Sequence, residues 1–127
     1  ENHDLDFIRI SLPNVGGITE LIRVMAMCES HDVGIVPHFT GPIATAAQAH
    51  ALATFPFTVV FEYNYQTRQI PYLQENWISF NEGKVYTNDR PGLGVEVDTD
   101  SLRLVATYTE ANNRPMYYRP DGSPITW

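Results

Sequence analysis

Apolar positions in this chain fall into short blocks whose spacing alternates between the two-residue period of a strand and the period of about 3.6 of a helix. Asp6-Phe7-Ile8-Arg9-Ile10 is a short extended run, ended by Pro13 and the Gly16-Gly17 pair. From Thr19 the pattern predicts a helix: Leu21, Ile22, Met25 and Ala26 recur at i, i+3 and i+4, and the segment closes at Ser30-His31-Asp32. Val33-Gly34-Ile35-Val36 then forms a continuous apolar run, as a strand does when both its faces are buried. The step repeats. Pro37-His38-Phe39-Thr40-Gly41-Pro42 makes a polar turn, residues 43–54 an Ala-rich helix, and Phe57-Thr58-Val59-Val60-Phe61-Glu62 a third strand. The order β-α-β-α-β implies an α/β fold with parallel pairing, right-handed crossovers and chemistry at the carboxyl ends of the strands. His38 and Glu62 stand at those ends.

Past Glu62 the character changes, which divides the chain into residues 1–62 and 63–127. Trp77-Ile78-Ser79-Phe80, the turn Asn81-Glu82-Gly83 and Lys84-Val85-Tyr86-Thr87 read as a hairpin. Pro91-Gly92-Leu93-Gly94-Val95-Glu96-Val97-Asp98 follows, and Asp98 or Thr99 is placed to cap a last helix over residues 102–109. The tail, 112–127, is rich in Pro, Asn, Gly and Arg and reads as irregular. Three parallel strands cannot close a barrel, which needs eight. Left alone they leave apolar edges and faces open, so the chain is expected to be part of a larger assembly and incomplete by itself.

Composition narrows the partners. The chain has 127 residues, 43% of them hydrophobic, enough for one ordinary core. Its net charge of −7, with Lys and Arg scattered, argues against a nucleic-acid partner. Cys28, the single cysteine, lies in a helical run and reads as a small buried hydrophobe. No apolar stretch approaches the roughly 20 residues of a membrane span, and no basic and apolar leader opens the chain, which points to the cytoplasm. The start at Glu1-Asn2-His3 without Met fits a trimmed, processed or partial chain.

Taken in order, Val15-Gly16-Gly17-Ile18-Thr19-Glu20, Val36-Pro37-His38, Pro42-Ile43 with its Ala-rich helix, Phe61-Glu62 and Pro91-Gly92-Leu93-Gly94-Val95-Glu96-Val97-Asp98 resemble the end of an enolase-superfamily protein. The branch is that of mandelate racemase and muconate lactonizing enzyme, and the resemblance covers residues 6–98. Arg119-Pro120-Asp121-Gly122-Ser123 through Trp127 is similar to the tails of aldonic-acid dehydratases. The resemblance implies that the three strands are the sixth to eighth of a modified (β/α)7β barrel, with residues 63–127 returning toward a capping domain. It further implies proton abstraction beside a carboxylate, an enediolate stabilised on Mg²⁺ whose ligands lie on strands outside this chain, a sugar acid as substrate and a homo-oligomer. A racemase or cycloisomerase of the superfamily, or an inactive piece that needs a second polypeptide, stands as the alternative.

On that resemblance His38 is the seventh-strand acid or base, suited to either role by an imidazole that titrates near neutrality. Glu62 is the eighth-strand acid, a carboxyl that contacts the substrate carboxylate or donates to developing charge. A lone His capping a strand end and a surface Glu paired with an Arg are the plainer readings of the same residues. The family usually has an Asp five residues before Gly16, bonded to the histidine, where this chain has Ser11, whose neutral hydroxyl can orient an imidazole but cannot stabilise it when charged. The remaining candidates are weaker: Gly92-Leu93-Gly94 reads as turn geometry, His50 as helix packing, Asp98 and Asp100 as capping, and His3 and His31 share no metal-ligand spacing. Tyr63, Tyr65, Tyr72, Tyr117 and Tyr118 read as cover for exposed edges or a subunit contact.

Overall fold

The computed structural model describes residues 4–58, 60–64, 70–73, 77–107 and 117–125. Two parallel strands, β1 (Phe7–Ile10) and β2 (Gly34–Pro37), pair in the register Phe7 to Gly34 through Ile10 to Pro37. Between them run a single helical turn, α1 (Leu12–Val15), and the longer α2 (Ile18–Ser30); α3 (Pro42–Leu52) follows β2. The alternation read from the sequence is therefore present, with element ends shifted by one or two residues. The short α1 was read as loop. It exists because Gly16, at φ 99°, can take the left-handed conformation that lets Gly17 N–H reach Leu12 O at 3.0 Å and Gly16 N–H reach Pro13 O at 3.3 Å.

The third strand is shorter than expected. Thr58 forms a single parallel bridge with Ile35, and Ile35 N–H donates to Phe57 O at 3.0 Å. Val59 lies outside the described residues, and Val60 onward is irregular. A strand with a neighbour on one side only lacks half the ladder that would hold it extended. Thr58 Oγ1 compensates in part by donating to Leu52 O at 3.3 Å, tying this segment to the end of α3.

One core joins the pair of strands to the helices. Ile10 and Ile35 pack against Leu12, Leu21, Met25, Cys28, Ala47, Leu52 and Phe55. α2 is amphipathic: Leu21, Met25 and Cys28 turn inward while Ile22 and Met27 stay exposed. α3 is buried almost all round, because Ala46 and Ala49 on its other side meet Leu73, Trp77 and Ile78 in a second cluster. Burial keeps the Cys28 thiol above its ordinary pKa, as a packing cysteine should be.

The expected hairpin is present as β3 (Ser79–Asn81) and β4 (Lys84–Tyr86), turned by Glu82 and Gly83, both at positive φ. The helix expected over 102–109 is not: Asp98 Oδ1 caps only a 3₁₀ turn (Thr99–Ser101), accepting from Asp100 and Ser101 N–H. Leu102 then turns extended, and residues 102–107 run exposed and irregular; 108 and 109 lie outside the described residues. Leu102, Leu104 and Val105 find no apolar surface there to drive a helix. The tail holds more order than expected, since β5 (Tyr117–Tyr118) pairs antiparallel with β6 (Pro124–Ile125) around a turn in which Asp121 Oδ1 accepts from Ser123 N–H and Oγ–H.

Leu21 is fully buried, 0% exposed, at the contact of α2 with both strands. Leu21→Ala is expected to destabilise the fold by about 2–5 kcal/mol in urea denaturation. A loss below about 1 kcal/mol would show that α2 does not anchor the strands.

Candidate active site

Ser11 follows β1 directly, and His38 follows β2. His38 N–H donates to Ile10 O at 2.6 Å, extending the ladder one residue past β2. Side chains of Ser11 and His38 line one open cavity of about 400 Å³ together with Arg9, Ile10, Asn14 and Val15. Both carry a buried polar atom without a hydrogen-bond partner, Ser11 Oγ and His38 Nδ1. A Ser11 hydroxyl could orient the imidazole, but Ser11 only shares the cavity and makes no bond to His38. Ser is shorter than the Asp it replaces and carries one oxygen instead of two.

Glu62 is reached from across the sheet. Arg9, in β1, donates through Nη2 to Glu62 Oε1 at 2.8 Å and Oε2 at 2.7 Å, and through Nε to Oε2 at 3.2 Å. This clamp passes across β2, where Val36 is the register partner of Arg9. A guanidinium fork on a carboxylate is the strong form of such a pair. Phe39 N–H adds a bond to Glu62 Oε2 at 3.3 Å. Hydrogen bonding from Arg9 holds the Glu62 carboxyl below its usual range; burial opposes the shift, while the Phe39 N–H and the charges of Arg9 and His38 add to it. Glu62 at neutral pH is thus an ionised acceptor. The expected role of a protonated carboxyl donating to developing charge does not fit this environment.

Arg9 was not singled out from the sequence, although a signal existed: it is the one charge inside the apolar run Phe7-Ile8-Arg9-Ile10. Ile8 and Ile10 sink into the core, so alternation sends Arg9 to the opposite face.

The remaining candidates stay apart from this cavity. His50 is half-buried in the last turn of α3, His31 caps the end of α2, and Asp98 and Asp100 belong to the 3₁₀ turn. Gly92 and Gly94 adopt positive φ in a turn closed by Gly94 N–H to Pro91 O, as turn geometry predicts. Tyr63 packs between Phe39 and Phe80, with ring centroids 6.2 and 4.2 Å away, while Tyr72 and Tyr118 are exposed. His3 and Tyr65 lie outside the described residues, as does the Tyr117 side chain. Among the described residues no three His, Cys, Asp or Glu side chains are grouped to hold a metal ion, and the Glu62 carboxylate is already engaged by Arg9. These residues do not fit a divalent-cation site. No helix among them is long and apolar enough to cross a membrane.

Residues 1–101 match the model of the family described as enolase C-terminal domain-like. The chain belongs to that family. Among curated relatives it is 35% identical to a D-galactonate dehydratase family member of Streptomyces bingchenggensis, over 97% of this chain and 30% of that protein. It is 30% identical to the D-galactonate dehydratase of Xanthomonas oryzae pv. oryzae, over 97% of this chain and 34% of that protein. It thus spans about a third of the length of these relatives. Among solved structures it resembles an enolase from Pantoea ananatis with bound D-gluconate and Mg, at TM-score 0.63 and 28% identity, covering 72% of this chain and 23% of that one. It also resembles a mandelate racemase/muconate lactonizing enzyme from Roseovarius nubinhibens, at TM-score 0.66 and 26% identity over 80% of this chain and 28% of that one. The α/β architecture is accordingly that of the enolase-superfamily barrel, in its mandelate racemase-like branch.

The Arg9–Glu62 clamp has a pH signature. Because the folded-state pKa of Glu62 is depressed, the stabilisation is present above the ordinary Glu value of 4.5 and is lost as the pH falls through the lowered one. Arg9→Met is expected to move the Glu62 carboxyl titration upward, read by carbon-13 NMR of the side-chain carboxyl. An unchanged midpoint would remove Arg9 as the cause.

Proposed function

We propose that this chain is the C-terminal part of a Mg²⁺-dependent lyase that removes water from a sugar acid of the galactonate class. The observation that carries the reading is the open cavity at the ends of β1 and β2, lined by Ser11, by His38 with its unbonded Nδ1, and by Arg9, whose guanidinium also clamps the Glu62 carboxylate. Residues 1–62 supply the last three strands of the barrel, and 63–127 return toward a capping domain. The exposed face of the sheet supports this: Phe7 in β1 is 55% exposed, where a strand of this composition would be covered in a closed barrel. The rest of the barrel comes from the same parent chain or from a second polypeptide. The whole protein would work in the cytoplasm as a homo-oligomer, and the lone buried Cys28 fits a reducing compartment.

Within this reading the chain's own residues do two things. Elimination needs a proton removed beside the carboxylate and a proton delivered to the departing hydroxyl, so that the C–O bond breaks and water leaves. In this reading His38 delivers that second proton. No described carboxylate bonds its Nδ1 as in a His–Asp pair, so in this reading His38 is the acid and the base comes from a strand outside this chain. Glu62, held ionised, accepts from substrate hydroxyls, and Arg9 beside it offers the charge that a substrate carboxylate requires. A divalent cation bound by residues outside this chain would supply charge stabilisation for the enediolate.

Turnover of a panel of aldonic acids by the complete protein with Mg²⁺ tests the reading. His38→Asn is expected to lower kcat by about 10²–10⁴-fold, the usual contribution of a positioned acid or base. An undiminished rate in the variant would remove His38 from the chemistry. Absence of turnover by the wild-type protein across the panel would favour a racemase, a cycloisomerase or an inactive homologue.

A further inference from the structure

α3 runs Pro42-Ile43-Ala44-Thr45-Ala46-Ala47-Gln48-Ala49-His50-Ala51-Leu52, and within this small apolar series Gln48 is only 1% exposed. A buried primary amide is costly unless both its ends are bonded. In the orientation assigned from its partners, Gln48 Oε1 accepts from Leu12 N–H at 3.1 Å and Nε2 donates to the His38 carbonyl at 3.2 Å. Leu12 opens α1, whose N-cap Ser11 makes no side-chain cap bond, so an amide from another helix serves one of the N–H groups that a helix start leaves over. The His38 carbonyl lies just beyond the last residue of β2.

The peptide joining His38 to Phe39 is consequently held from both sides. Its carbonyl is bonded to Gln48, and its N–H donates to Glu62 Oε2 at 3.3 Å. His38 N–H is bonded in turn to Ile10 O at 2.6 Å. The His38 N–H and C=O and the Phe39 N–H are thus all engaged, while Nδ1 itself is not. The main chain is fixed and the proton-carrying atom is left open.

We propose that Gln48 is a positioning residue for His38: its amide ties the end of β2 to the start of α1, sets where the imidazole enters the cavity, and shares one peptide with Glu62. The functional part rests on the dehydratase reading; the structural part does not. Thr45 provides the control, since it is 0% exposed in the same helix and its Oγ1 donates to Gly41 O at 2.7 Å, a bond that involves neither strand end.

The test uses the complete protein with Gln48→Met, which removes both bonds, Gln48→Asn, which is too short to span both partners, and Thr45→Val. kcat and KM are measured on the aldonic acid turned over, and the His38 imidazole is titrated by NMR without substrate. Gln48→Met is expected to lower kcat by about tenfold or more with a much smaller change in KM, as misplacement of a reacting group does. Gln48→Asn should lose less, both should shift the His38 titration midpoint, and Thr45→Val should change only the melting temperature. Folded Gln48 variants with wild-type kcat and His38 titration would overturn the proposal, as would equal effects of Thr45→Val. If Gln48→Met does not fold, Gln48→Asn carries the same decision. Wild-type protein without turnover defeats the dehydratase reading alone, because the His38 titration still decides the role of Gln48.

Discussion

A parallel strand pair is stable only when both its faces are covered, and this constraint organises the rest of the chain. On one face β1 and β2 bury Ile10 and Ile35 under α2 and α3, which is why Leu21, Met25 and Leu52 face inward and why α3 can be Ala-rich. Small side chains let that helix lie between the sheet and the cluster around Trp77 without overfilling either side. The other face carries Phe7, Arg9 and Val36 and has no cover among the described residues. The same alternation that buries Ile8 and Ile10 sends Arg9 across the sheet toward Glu62.

The electrostatics of the cavity follow from that placement. Arg9 takes a carboxylate that would otherwise be solvated and lowers its pKa through its hydrogen bonds. His38 shares its cavity with the Ser11 hydroxyl without bonding it, and its Nδ1 has no hydrogen-bond partner among the described residues. The geometry around His38 is held through the main chain, with Ile10, Gln48 and Glu62 bonded to successive backbone groups at His38 and Phe39.

Much of this was legible in the sequence because period and punctuation are local properties. Gly16-Gly17, Asp32 at positive φ and the Glu82-Gly83 turn end elements where turn chemistry says they should. The placement of His38 at the end of β2 followed from the β-α-β-α-β order alone, whereas Glu62 lies four residues past the single bridge at Thr58. The misses were tertiary. Residues 102–107 have helix-compatible composition but no surface to pack on, and the segment around Thr58 lacks a second neighbour to extend it. Arg9 and Gln48 looked like isolated polar interruptions in apolar segments.

By itself the sequence determined the parallel α/β order, the two strand-end candidates and the family, since each depends on spacing or on strings that survive in one dimension. Only the tertiary structure decided that Arg9 clamps Glu62, that Ser11 does not bond His38 and that Gln48 grips the strand ends. Each of these depends on which side chains meet across a sheet or between helices. Arg9 and Glu62 are 53 residues apart along the chain, and no local pattern specifies that they share a carboxylate's two oxygens.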